Sequence, residues 1–197
     1  MRAVVVTAAF VALQATACSR PVTSWDTEQV YGAVIDTLYR EPGTNLPMLV
    51  ARTRTIPRVL FAPEGHLARE AKDLPPAFLS RFLEVNQVES TLAHFALVSA
   101  PQVFLDSLQE HEAFGEVPGK RGDPATERAH WAHFRARYPG APGLIEFSRV
   151  GFDTGGHRAL VCVVRVYGFL DASIDLVMLR RRSGHWVLEE MRNLAVS

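Results

Sequence analysis

The chain has 197 residues, enough for one domain with a sizeable core, and its 48% hydrophobic content is that of a folded protein. Its formal net charge is zero and it holds no basic run, which removes the electrostatic case for nucleic acid as a partner. Nineteen arginines against two lysines is a skew of base composition, with no chemistry attached to it.

In chain order, the first eighteen residues read MRAVVVTAAFVALQATAC. Arg2 is a minimal positive start, and residues 3–13 form an apolar stretch too short for a stable membrane span. Residues 1–17 are therefore expected to be a signal peptide. Ala15-Thr16-Ala17-Cys18 resembles the lipobox of bacterial lipoproteins, with Ala15 where Leu is usual. That resemblance implies a diacylated Cys18 as the mature N-terminus and a partner in the membrane through this lipid anchor. Ser19, in place of Asp, implies outer-membrane sorting, and two acyl chains hold where one does not. The same residues also form an Ala-x-Ala site for ordinary signal peptidase, which would release a soluble periplasmic protein. Residues 18–24 then serve as anchor and linker, and residues 25–197 as a single α+β domain.

Thr23-Ser-Trp-Asp26 has capping-box spacing before a stripe of Val30, Tyr31, Val34, Ile35 and Leu38, which predicts a helix through Tyr39 closed by Glu41-Pro-Gly43. Residues 48–53 read as a strand, stopped by Thr55-Ile-Pro57. Pro63, Gly65, Pro75 and Pro76 punctuate residues 58–76, leaving room for a short helix over 67–72. Phe78, Leu79, Phe82 and Leu83 line a helix from Pro76 to about Asn86. Residues 89–97 fit helix or strand, and 102–108 alternate as a strand or its edge. Asp123-Pro124 with Glu127 starts a helix to Tyr138, on which Trp131, Phe134 and Tyr138 form a bulky stripe suited to the even face of the strand over 158–167.

Residues 144–191 organise the whole: four strands joined by the turns at Asp153–Gly156, 168–172 and Arg182–Gly184. Short links cannot cross over, so the expected fold class is α+β, a C-terminal four-stranded antiparallel β-meander packed by helices. Leu160, Cys162, Val164 and Val166 should share one buried face, with Cys162 a small core hydrophobe and not a nucleophile. Trp131, Phe134, Tyr138-Pro-Gly140, the FSRVGF of 147–152, Ala159-Leu-Val161 and Gly184-His-Trp-Val187 resemble a family of exported bacterial proteins of unknown function. Where that family carries Cys-Gly pairs after the second strand, this chain has Gly168-Phe-Leu-Asp-Ala172. The layout also resembles NTF2-like or cystatin-like cones, in architecture alone.

No phosphate loop, nucleophile elbow or paired-Cys metal motif occurs, and no cofactor is expected. His130 and His133, with His111-Glu112, are the metal-ligand candidates, but an i, i+3 pair without a third ligand at known spacing does not make a site. Arg121-Gly-Asp123 is accounted for as loop and helix cap. Ser148, Arg149, Asp106, Glu110 and Glu112 are each compatible with a site and nothing in sequence ties them together. Arg180–Arg182 reads as a solvated sheet end or a contact with anionic lipid. Two functions stay open: an envelope-tethered, non-enzymatic binding domain for a protein or small molecule, or a periplasmic hydrolase-like enzyme with a pocket between sheet and helices. Buried ionisable groups within hydrogen-bond reach in a pocket would favour the enzyme. An interior filled by Trp131, Phe134, Leu160 and Val164 would favour binding.

Overall fold

The structure is a computed structural model that describes residues 22–40, 47–56, 66–92, 94–120 and 122–196. The signal peptide, Cys18, the Glu41-Pro-Gly43 stop, Pro57, Pro63, Gly65 and Arg121 lie outside the described residues.

The first helix, α1 (Ser24–Tyr39), begins where the sequence places it. The Thr23 hydroxyl accepts from the Asp26 amide at 3.3 Å and the Asp26 carboxylate accepts from the Thr23 amide at 2.9 Å, so two orphan donors are satisfied together. Its stripe of Val30, Tyr31, Val34 and Ile35 is buried. The strands are β1 (Leu49–Arg52), β2 (Gln102–Leu105), β3 (Leu144–Phe147), β4 (Gly151–Phe152), β5 (Arg158–Gly168), β6 (Asp171–Arg182) and β7 (His185–Val196). All belong to one sheet in the order β2-β1-β3-β5-β6-β7, with β4 pairing β5.

The chain is α+β, but the sheet is mixed and seven-stranded where the sequence implies four antiparallel strands. β3, β5, β6 and β7 are antiparallel neighbours, whereas β1 runs parallel to both β2 and β3. Two four-residue strands thus extend the sheet, recruited through a parallel register that local pattern cannot announce. The expected first meander strand is also split. The Ser148 hydroxyl accepts the Cys162 amide at 2.8 Å and donates to the Arg149 carbonyl at 2.9 Å, so a side chain takes over one rung between β3 and β4. Two-residue turns close the β5–β6 and β6–β7 hairpins, with Leu170 at φ 59° and Ser183 at φ 48°, the left-handed geometry that matches strand twist.

Residue alternation assigns each helix to a face. Odd residues of β5 (Ala159, Val161, Val163), with Leu49, Ala51, Ile145 and Phe147, pack under α1 and the irregular 92–100 segment, whose Phe95 and Val98 are buried. The opposite face is shared. α2 (His66–Glu70), α3 (Pro76–Val85) and the turn between them cover Leu160, Cys162, Leu176 and Met178 with Leu67, Ala71, Leu74, Phe78 and Phe82. α4 (Ser107–Phe114) and α5 (Pro124–Arg137) cover Val50, Leu105 and Leu144 with Ala113, Trp131 and Phe134. Both faces of the first half of β5 are buried, the odd face more fully than the partial cover its mixed pattern implies, and Val164 and Val166 are only half-buried. Trp131 and Phe134 accordingly lie on the parallel half of the sheet, because α3 already occupies the even face of β5.

α4 has no counterpart in the sequence reading. Asp106 and Gln109 form a full capping box, yet only Ala113 of the helix is buried, so no apolar stripe marks it. The described residues of 89–97, a segment open between helix and strand, are irregular apart from one bridge between Thr91 and Arg54.

Candidate functional site

The parallel strands β1, β2 and β3 end side by side at Arg52, Leu105 and Phe147, the kind of edge where open sheets hold ligands. Arg52 and Glu146 project from this end toward the α4–α5 face, on the same side as Val50 and Leu144. α4 starts directly after β2 and brings Glu110 over them. The Arg52 guanidinium donates to both Glu110 oxygens, at 2.8 and 2.5 Å, and also to the Glu146 carboxylate. One cation thus bridges two acids. Glu146 is buried, and desolvation holds its carboxyl above the usual carboxylate range, with Glu110 adding to the rise and Arg52 opposing it. Burial alone would weaken the Arg52 cation, but the Glu110 hydrogen bond and the charges of Glu146 and Glu110 outweigh it and raise its pKa.

Glu110 is the member of this triad that reaches a cleft. The cleft has a volume of about 480 Å³ and lies between facing stripes of two helices: Ser107, Glu110, His111 and Phe114 of α4, then Glu127, His130 and Trp131 of α5, with Gly115 at one end. Its floor is aromatic. Phe114 meets Trp131 edge-on at 5.0 Å and stacks on Phe134 at 5.1 Å, which fixes the α4–α5 angle and leaves the cleft outside the packed interior. Volume and lining match a small-molecule or peptide side-chain site, since such pockets run from about 300 to 1,000 Å³.

His130 and His133 each turn one ring nitrogen to the backbone of α4. Their Nδ1 atoms lie 3.0 Å from the Phe114 and Ala113 carbonyls respectively, so both rings tie off the open C-terminal carbonyls of α4. Gly115, at φ +69°, ends the helix directly beneath the His133 ring, where even a Cβ would stand 3.0 Å away. No group of three or more His, Cys, Asp or Glu suited to a metal occurs among the described residues.

The remaining sequence candidates are distributed through the frame. Asp106 caps α4, Glu112 is exposed on it, and Ser148 holds the β3–β4 break with Tyr31, whose hydroxyl donates to the Ser148 carbonyl at 2.9 Å. The Arg149 amide donates to Asn86 at 2.8 Å. Cys162 is fully buried and burial pushes its thiol pKa up, away from nucleophile character. Arg180–Arg182 is not a uniformly solvated end. Arg181 donates to Asp26 at 2.7 Å and lies over the Trp186 ring, Arg180 pairs with Glu189, and Arg182 alone is exposed.

Sequence reasoning missed Arg52 and Glu146. The available signal was a charge inside each of two short apolar runs, LVAR and LIEF, since a charge buried in a strand needs a partner. It missed Asp175 for the same reason. That carboxylate, 2% exposed, accepts from Arg165, Ser173 and Asn193 on the α1 face of the sheet. No protein-family model, curated protein or solved structure matches the chain.

Proposed function

We propose that this protein is an envelope-tethered, non-enzymatic binding domain whose ligand, a small molecule or a side chain of a protein partner, occupies the α4–α5 cleft. The cleft itself carries the reading: about 480 Å³ walled by two helices, with an aromatic floor and ionisable groups at the rim. Those groups are already committed in ways that suit holding over turning over. Glu110 is clamped by Arg52, and the His130 ring is fixed on a backbone carbonyl. Neither is poised against a nucleophile, as a general base would be. The tether rests on residues 1–18 and their likeness to a lipoprotein signal, and the exported-family likeness of the C-terminal third agrees with it. No helix among the described residues is long and apolar enough to cross a membrane. The likeness to an NTF2-like or cystatin-like cone rests on the layout of an early helix, a second helix and a terminal meander closing on Gly184-His-Trp186.

Two measurements test this. Wild-type protein should incorporate labelled palmitate and fractionate with membranes, while Cys18→Ser should be soluble or unprocessed; an unlabelled wild type would remove the tether. Envelope extracts passed over immobilised wild type should yield a ligand that Ser107→Trp, a bulky plug at the exposed first residue of α4, fails to retain. Equal retention by both would remove the cleft.

A further inference from the structure

The reach of an anchor at Cys18 limits where the domain can stand. Even fully extended, residues 18–24 span no more than about 22 Å, so the start of α1 stays within that distance of the membrane surface. That start is apolar on its outside: Val22 is 43% and Trp25 52% exposed. A large aromatic ring left half in solvent at a helix N-terminus has no packing purpose there, whereas an amphipathic indole gains by resting at headgroup level.

The same end of the molecule presents the turns of the sheet. The Arg181–Asp26 ion pair, 2.7 Å, joins α1 to the end of β6, and the Arg181 amide donates to the His157 carbonyl at 2.8 Å, which brings in the turn before β5. On β7, directly after Trp186 beneath Arg181, Val187 and Leu188 are 37% and 40% exposed. Arg182, His185 and His157 are exposed around them. Exposed apolar side chains with the Arg182 cation on the same hairpin complement an anionic bilayer surface.

We infer that the N-terminus of α1 and the β6–β7 hairpin form a membrane-contacting end, with Trp25 seated at headgroup level and Arg182 beside it facing anionic lipid. This rests on the lipoprotein reading.

The test uses the full chain purified from membranes and reconstituted in phosphatidylcholine–phosphatidylglycerol vesicles whose acyl chains carry bromine near the headgroup. The protein has three tryptophans, and Trp131 and Trp186 are buried, so bromine should quench the Trp25 share of the emission. Quenching in wild type and its loss in Trp25→Phe, which keeps an apolar ring and the α1 cap, is the expected result. Protein that carries labelled palmitate but shows no quenching, or shows it undiminished in Trp25→Phe, overturns the inference while the anchor stands. Protein without the label overturns both.

Discussion

Arg52 holds two carboxylates at the end of the parallel strands, and its removal should expose how much they depend on it. Truncating one partner of a buried ion pair costs about 3–5 kcal/mol; with Arg52 a third exposed, Arg52→Leu should cost about 2–3 kcal/mol in denaturant unfolding. Glu146 makes the complementary prediction in pH. Its proton is held more tightly in the folded chain than in an unfolded one, so its contribution favours the fold below the ordinary carboxylate range and is lost as pH rises through its raised value. Glu146→Gln stays neutral throughout, and its Tm should fall less than that of wild type as pH is raised from acid toward neutrality. A steeper fall in the variant would mean that Arg52 dominates the site. Leu170 is a different kind of residue-scale cost, a branched side chain at φ 59° and 72% exposed. Leu170→Gly relieves that strain without removing a buried contact, and should raise stability by about 0.5–1 kcal/mol in thermal melts.

Helix α5 draws its stability from what it covers, since a helix of 14 residues is marginal alone. Trp131→Ala empties the space beside the stacked Phe114 and Phe134 and should cost about 3–5 kcal/mol, with α4 loosening as well because the same ring supports it. His130→Gln and His133→Gln test the tie between the helices. Each removes one hydrogen bond to an α4 carbonyl, about 1 kcal/mol, but the double variant should speed hydrogen exchange over residues 111–115 while leaving the sheet protected. Retained protection would show that aromatic packing alone fixes α4. On the other side of the sheet, Gly151 lets α3 approach β4 so closely that a Cβ would come within 2.7 Å of the Phe82 backbone. Gly151→Ala must push the helix off the strand, and a loss of about 1–3 kcal/mol is expected in chemical denaturation.

At the scale of the whole molecule, the parts fixed by local chemistry were legible in the chain. The Thr23–Asp26 box, the Asp123-Pro124 start, the Gly184 turn and the alternation of β5 and β6 each depend on residues within a few positions of one another, and each stands where its pattern places it. Cys162 reads as core from its neighbours alone and is core. What escaped the sequence involves partners far apart along it. Parallel pairing of β1 with β2 joins Leu49 to Gln102, and no turn residue announces such a register. The identity of the helix over each part of the sheet was decided by competition for area: α3 filled the even face of β5 and left α5 the parallel half. Arg52, Glu110 and Glu146 stand 36 to 94 positions apart and become one unit only when β1, β3 and α4 converge. The cleft beside them exists only between two packed helices, one of them invisible to periodicity because it packs through Ala113 and a half-buried Phe114 without an apolar stripe. Sequence by itself determined the caps, the turns and the antiparallel half of the sheet, because those depend on local hydrogen bonds and backbone conformation. The parallel half, the division of the sheet's faces and the cleft were decided by tertiary structure, because burial energy belongs to surfaces that meet only after the chain has folded.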